Sequence, residues 1–402
     1  MQTVNVYFRL KGKIPMQLLI AFTGSLLMVY ALLILYYHRA WANIPNPLGS
    51  ANPPTAMDQA NGLNIPTVKV TVIIPARNEA DRIETCLQSI FRQSYPAALT
   101  EILVVNDFST DETADRVIAF EGKCRLLNLS DFISDPINSY KKKAIEMAIS
   151  HSGGELIICT DADCTMGVEW ISTLVQTYEK EDWQFIAAPV KIAPDGTAMA
   201  VFQCLDFISL QGITGAAVNK QLYPMCNGAN LAYTRKSFDD VGGFSDIDHI
   251  ASGDDMLLLK KIQRLFPGKS GFIKDPRAIV STNPAGNIRV FFQQRIRWAS
   301  KISHYKHTAT FITLALVYLV NLFLLILFFS CIIFGHWRPL LLLLAFKTVS
   351  EYFFVCKVAD FFQQKSLMNY FPLCQPFHIA YTVIAGSFGS FGKYEWKNRK
   401  VK

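Results

Sequence analysis

The chain has 402 residues, of which 51% are hydrophobic, and it carries nine cysteines, seven histidines and a formal charge of +7. The cysteines show no Cys-x-x-Cys pair, several sit in apolar runs (Cys159, Cys331), and the histidines follow no zinc spacing, which excludes a metal- or disulfide-framed module. The modest charge, without a basic-aromatic module, excludes a nucleic-acid reader and suits anionic headgroups and a small anionic ligand.

Residues 16–37 are almost wholly apolar, near the roughly 20 residues that a membrane span needs. The missing small-residue cleavage site makes them an anchor and not a cleaved signal. The stretch 42–67, rich in Pro, Asn, Gly and Ala, reads as a linker. Val70-Thr71-Val72-Ile73-Ile74 then runs into Pro75-Ala76-Arg77-Asn78-Glu79, and a helical pattern follows over 80–90. Glu101-Ile102-Leu103-Val104-Val105 runs into Asn106-Asp107-Phe108-Ser109-Thr110-Asp111, with a second helix behind it. A third apolar run, 155–160, is continuous, as in a strand covered on both faces, and ends in Asp161-Ala162-Asp163. This alternation predicts an α/β fold with a doubly wound, mostly parallel sheet. In such sheets ligands bind beyond the carboxyl ends of the strands, where all three polar clusters fall.

Residues i and i+2 of a strand share a face, so Asp161 and Asp163 are expected to present both carboxylates to one point. A divalent cation that also grips a substrate phosphate relieves their repulsion. Alone, Asp-x-Asp is more often a solvated turn or a helix cap. Asp111 or Thr110 also reads as a cap, whereas Asp107, at the strand end itself, reads as a ligand residue. Ser252-Gly253-Asp254-Asp255 before Met256-Leu257-Leu258-Leu259 looks like a helix start, a role compatible with catalysis. Within a helix over 289–300, Gln294, Arg297 and Trp298 share a face. There the ring is able to stack on a sugar and the guanidinium to pair with a phosphate. An interfacial helix before a span is the bland alternative.

Taken in order, these pieces resemble the inverting family 2 glycosyltransferases in their membrane-bound form. The matching elements are 72–79, 105–111, Lys141-Lys142-Lys143-Ala144, Thr160-Asp161-Ala162-Asp163, Asn227-Gly228-Ala229-Asn230, Gly253-Asp254-Asp255 and Gln294-Arg295-Ile296-Arg297-Trp298. The last points to the synthase-like branch. The resemblance implies a GT-A catalytic domain over 68–300 that is metal-dependent, using Mg or Mn. It implies that Pro75, Arg77, Glu79, Asp107, Lys141 and Asp161 bind the nucleotide of a sugar donor, UDP-linked in this reading. Asp163, with Asp161, would coordinate the metal on the diphosphate. Asn227, Gly228, Asn230, Gln294, Arg297 and Trp298 would face the acceptor or the diphosphate. Asp255 aligns with the general base; because the usual pair is Glu-Asp and here is Asp254-Asp255, both are candidates. Many relatives also carry paired aspartates where this chain has Asn106-Asp107, so the role is carried onto Asp107 alone. The partners implied are a nucleotide-sugar donor, a glycan or lipid-linked acceptor and membrane lipids, with no nucleic acid. A catalytically silent membrane scaffold or nucleotide-sugar sensor of the same fold is the competing class, and a transferase of other nucleotide-linked groups a third.

Beyond 301, residues 310–334 form a second span, and 339–355 a third that carries Lys347 and Glu351 at i, i+4, charges expected to pair. The segment 371–391, broken by Pro372, Pro376 and His378, stays open between a span and a re-entrant or interfacial stretch. Nucleotide sugars are cytosolic, so 68–300 is expected to face the cytoplasm of an inner (plasma) membrane. Basic residues at both ends (Arg9, Lys11 and Lys13; Lys393, Lys397, Arg399, Lys400 and Lys402) pull the topology in conflicting directions.

Overall fold

The computed structural model describes residues 2–46, 48–49, 66–133, 137–300, 308–335, 337–389, 394–396 and 399–401. Most of the linker read over 42–67 lies outside them, as do 301–307 and Lys393, Lys397 and Lys402. The chain divides into two compact units, residues 43–285 with 393–402 and residues 1–42 with 286–392.

After α1 (Gln2–Ala42), the first unit begins with β1 (Val70–Ala76), α2 (Ile83–Phe91), β2 (Thr100–Asn106), α3 (Thr113–Ile118), β3 (Arg125–Asn128), α4 (Tyr140–Ser150) and β4 (Leu156–Cys159). It continues with β5 (Thr165–Met166), α5 (Trp170–Glu181), β6 (Phe185–Ala187), β7 (Val190–Ile192), α6 (Ala198–Asn219), β8 (Leu231–Thr234), α7 (Arg235–Asp240), α8 (Asp254–Leu265), β9 (Ser270–Phe272) and β10 (Val280–Thr282). Seven strands form one sheet in the order β3-β2-β1-β4-β8-β6-β9, and β5-β10-β7 form a second. The strands from β3 to β4 run parallel, while β8 is antiparallel to both β4 and β6. The predicted α/β sheet is therefore present, with an antiparallel insertion at β8. Val72, Ile73 and Ile74 of β1 and Leu156, Ile157 and Ile158 of β4 are fully buried, which is why these strands read as unbroken apolar runs. Pairing of β1 with β4 ends at Ile73–Cys159. Pro75 falls past that point, where a strand tolerates a missing donor. The chain proceeds from β1 outward to β3 and returns to β4 on the other flank of β1. The crevice between the ends of β1 and β4 is thus the switch point at which such sheets bind ligands.

The helical unit holds α1 together with α9 (Ile288–Ser300), α10 (Thr308–Phe334), α11 (Trp337–Phe361) and α12 (Phe371–Gly389). Among the described residues four helices are long and apolar enough to cross a membrane: α1 from Met16, α6, α10 and α11. The apolar windows of α1, α10 and α11 are only 22–28% buried, whereas that of α6 is 78% buried inside the first unit. α6 is thus a core helix whose apolar surface covers strands. α12 is a continuous helix with Pro376 inside it. The expected intramembrane ion pair forms, with Lys347 Nζ 2.7 Å from Glu351 Oε1. Gln375 of α12 accepts from Lys347 (2.8 Å) and donates to Glu351 (2.6 Å), and the Tyr30 hydroxyl of α1 donates to Glu351 at 2.5 Å. Three helices thereby share one buried polar knot, as costly charges away from water require.

Candidate active site

The loops after β1 and β2 are tied to each other before any ligand enters. Arg77 Nη1 donates to the carbonyls of Asp107 and Phe108, both at 2.8 Å. Asn78 and Phe108 adopt positive φ (50° and 51°). The strained turn at Asn78 lets its side chain accept from Thr110 N (2.8 Å) while its own amide reaches Ser109 Oγ (3.0 Å). Asp111 accepts from the amides of Ala80 and Thr113 and from the Thr113 hydroxyl. Burial raises its pKa, but those hydrogen bonds outweigh it and hold the carboxyl below its ordinary value. Asp111 is thus the cap and clamp that the sequence allowed. Asp107 is 3% exposed at the end of β2, and Glu79 lies half-buried at the end of β1.

The Asp161-x-Asp163 geometry differs from the expectation. β4 ends at Cys159, and Cys164 N donates to Asp161 O at 3.2 Å. The two carboxylates therefore sit in a turn and not on one strand face, and they take separate partners. Asp161 Oδ1 is 2.8 Å from Lys141 Nζ. Asp163 Oδ2 is 3.6 Å from Arg82 and accepts from the Thr282 hydroxyl of β10 at 3.2 Å. Among the described residues no three His, Cys, Asp or Glu side chains form a ready cage for a metal.

The lysine run resolves into three environments, because consecutive helical residues point about 100° apart. Lys141 bridges Asp161 and, at 3.4 Å, Asp254. Lys142 is 1% exposed and bonds backbone carbonyls. Lys143 pairs with Glu146 at the surface. Burial disfavours the charge of Lys141, but Asp161, then Asp254 and Asp255, overcome that and hold its pKa above the usual value.

Asp254 and Asp255 open α8 behind Gly253, whose φ of 79° suits glycine. Asp255 Oδ2 accepts from the Gly228 amide at 3.1 Å. A Cβ at Gly228 would lie 3.0 Å from Lys141 Nζ, 3.3 Å from Asp254 Oδ2 and 3.7 Å from Asp255 Oδ2. Lys141, Asp161, Gly228, Asp254 and Asp255 are therefore one cluster, drawn from four separate stretches of the chain. Asn227 closes its loop by accepting from Ala229 N.

Asn230 corrects the sequence reading. It is fully buried, accepts from Trp170 Nε1 (2.9 Å) and donates to the carbonyls of Pro189 and Ala278 (2.7 and 2.8 Å). With its amide so engaged, it holds the loop in place and has no surface to offer an acceptor. Gln294, Arg297 and Trp298 lie on α9, in the helical unit. There the Arg295 guanidinium stands 4.2 Å from the Trp298 ring and 4.7 Å from that of Phe291, and Arg295 donates to Gln294 Oε1 at 3.0 Å. Sequence reading missed Arg82, Thr282, Trp170 and Arg295. Only Arg295, inside the quoted motif, carried any signal.

Cys86 and Cys164 flank the aspartate turn, where burial first and then Asp163 and Asp161 push both thiols up. Burial likewise pushes Cys159 up to about 12. None of them is a thiolate nucleophile near neutral pH.

Two polar loops at the carboxyl ends of parallel strands and a lysine among clustered carboxylates thus lie where such sheets bind ligands. Residues 71–242 match the family described as glycosyl transferase family 2. The chain carries a family 2 glycosyltransferase domain. Glycosyltransferase AglE of Haloferax volcanii is 28% identical over 193 residues, covering 48% of this chain and 60% of the relative. The poly-beta-1,6-N-acetyl-D-glucosamine synthase of Staphylococcus epidermidis is 22% identical over 237 residues, covering 57% of this chain and 53% of the relative. The chain thus spans little more than half the length of these relatives. The mannosyltransferase PcManGT of Pyrobaculum calidifontis, solved with GDP-Man and Mn2+, superposes with a TM-score of 0.57 at 19% identity, over 92% of this chain and 99% of that one. At that identity the likeness establishes the GT-A-like fold.

Proposed function

We propose that the protein is a membrane-bound, inverting glycosyltransferase that moves a hexose or N-acetylhexosamine from a nucleotide-diphospho-sugar to a glycan or lipid-linked acceptor. The observation that carries the proposal is the Lys141–Asp161–Gly228–Asp254–Asp255 cluster at the sheet's switch point, with the Gly228 amide on Asp255 at 3.1 Å. Glu79 and Asp107 hold the nucleoside through base and ribose hydroxyls, and the Arg77 clamp keeps their loops in register. Lys141 faces the diphosphate; its ammonium stays charged because carboxylates surround it.

A divalent cation fits the donor set. Mg and Mn in phosphate sites take one or two carboxylates and fill their remaining positions with phosphate and water oxygens, so Asp163, with Asp161 beside it, suffices. When bound, such a cation would neutralise charge on the departing diphosphate.

Asp255 takes the acceptor hydroxyl's proton as that oxygen attacks the anomeric carbon. Of the two carboxylates it is the better placed, since Asp254 is 13% exposed and paired with Lys141, whereas Asp255 faces the 227–230 loop. Attack with departure of the nucleoside diphosphate from the opposite side inverts the anomeric centre without a covalent intermediate. The roles of Gln294, Arg297 and Trp298 toward acceptor and diphosphate rest on the resemblance alone. The catalytic face is assigned to the cytoplasm because nucleotide sugars are made there.

The test is release of nucleoside diphosphate by purified protein in lipid, across UDP-sugars and GDP-mannose, with Mg or Mn and a membrane-lipid extract as acceptor. Turnover of one donor that is lost in Asp163→Ala supports the proposal and names the sugar. Donor binding without turnover under every acceptor and metal condition favours the silent sensor.

A further inference from the structure

Lys142, adjacent to the lysine of the site, does something different from its neighbour. Its side chain is 1% exposed, and its ammonium donates to the carbonyls of Ile247 (2.7 Å), Ile250 (2.5 Å) and Ser252 (3.2 Å). An ammonium has three protons, and three carbonyls of one short segment are within reach of them. That segment leads directly into Gly253, Asp254 and Asp255. The residue before α4, Ser139, donates its hydroxyl to the Asp248 carbonyl of the same segment instead of capping its own helix. At the far end, Lys261 of α8 donates to the carbonyls of Gly243 (2.8 Å) and Ser245 (2.9 Å). The start of α4 therefore carries two adjacent lysines with different jobs. Lys141 meets the carboxylates directly, and Lys142 fixes the backbone that delivers two of them.

We infer that Lys142, with Ser139, is a positioning residue for Asp255, setting where the 244–252 segment ends and hence where α8 begins. This rests on the proposed role of Asp255. A buried ammonium is costly unless well hydrogen-bonded, so a shift of the segment away from α4 would leave the Lys142 charge unpaired. Both lysines stand on one turn of one helix, so the distance from Lys141 to Asp254 and the placement of Asp255 are set together. Asp255 then receives two independent constraints, the Gly228 amide from one loop and the Lys142-held segment from the other.

The test compares wild type, Lys142→Met, Asp255→Asn and the double variant as full-length protein in lipid nanodiscs. Lys142→Met is expected to bind free nucleoside diphosphate within about two-fold of wild type while kcat falls by about 30-fold or more, a split that a general folding defect does not give. If Lys142 acts through Asp255, adding Lys142→Met to Asp255→Asn costs less than about three-fold further. Wild-type kcat in Lys142→Met, or full additivity in the double variant, overturns the inference. Ser139→Ala is the milder variant if Lys142→Met folds poorly, with a loss of several-fold expected and the same non-additivity. Amide hydrogen exchange needs no turnover, and it should speed up over 244–253 in either variant while β1 and β4 stay protected. Unchanged exchange there also overturns the inference. Should wild type turn over no donor, the proposed function falls, and exchange alone still decides whether the tether exists.

Discussion

Gly228 is where the proposed geometry is most sensitive to one added methyl group. Its backbone is outside the left-handed region, so alanine is conformationally allowed, and by lowering unfolded-state entropy it adds about 0.4–1 kcal/mol of stability in the absence of a clash. The new Cβ, however, would stand 3.0 Å from Lys141 Nζ and 3.3 Å from Asp254 Oδ2. Ordinary contact begins near 3.4 Å, so the ammonium must retreat by about 0.4 Å. Lys141 is the end of a flexible side chain, so the fold absorbs this, and stability stays within about 1 kcal/mol of wild type. Catalysis does not absorb it, because the ammonium is held at 2.8 Å from Asp161 and 3.4 Å from Asp254. If a misplacement near 1 Å costs about 100-fold, this one costs about ten-fold in kcat/KM. The assay pairs thermal unfolding with nucleoside diphosphate release in lipid. Gly228→Ala with wild-type kcat/KM would refute the idea that this glycine backs the reacting groups. A collapse in thermal stability would refute the claim that only a side-chain tip moves.

Three further outcomes follow from the packing. Asp111 has a lowered folded pKa against an ordinary value near 3.8, so its contribution is full above that value and disappears as pH falls through the folded one; being exposed, it is worth under about 1 kcal/mol. Urea titrations of Asp111→Asn and wild type should therefore differ at pH 6 and draw together as pH falls below 3.8. Asn230→Ala orphans the buried Trp170 Nε1 and the Ala278 carbonyl, while the Pro189 carbonyl keeps its bond from Val280 N, a loss of about 3–5 kcal/mol that thermal unfolding in detergent should register. In the helical unit, Lys347→Met leaves Glu351 buried without its cation and should cost about 3–5 kcal/mol, whereas Lys347→Met with Glu351→Leu should cost less, since removing both charges removes the desolvation penalty.

The sequence carried the fold because β1, β2 and β4 are buried on both faces and each ends in a polar cluster. No local signal, by contrast, marked β8 as antiparallel or α6 as a core helix, since its apolar composition resembles a span and only its 78% burial inside the α/β unit separates the two. The residues of the candidate site were legible as motifs, but their partners were not. Which of three lysines faces Asp161 depends on how α4 is rotated. Asp163 meets Thr282 across 119 positions of sequence, a distance that no pattern spans. Asn230 read as a ligand residue because the Asn227–Asn230 stretch resembles the family's acceptor loop, yet the loop turns it inward to Trp170. The Asp-x-Asp reading failed in its geometry for a related reason, because the strand stops before the first aspartate.

The most direct test of the account is to separate binding from turnover at Asp255. Free nucleoside diphosphate should bind Asp255→Asn within about two-fold of wild type, because the variant keeps the shape and an oxygen for the Gly228 amide while giving up the bond from Met256 N, whereas transfer falls by about 10²–10⁴-fold, the usual worth of a general base. The sugar product of wild type should show the anomeric configuration opposite to that of the donor. Transfer by Asp255→Asn at the wild-type rate, or a product that retains the donor's configuration, would contradict the account.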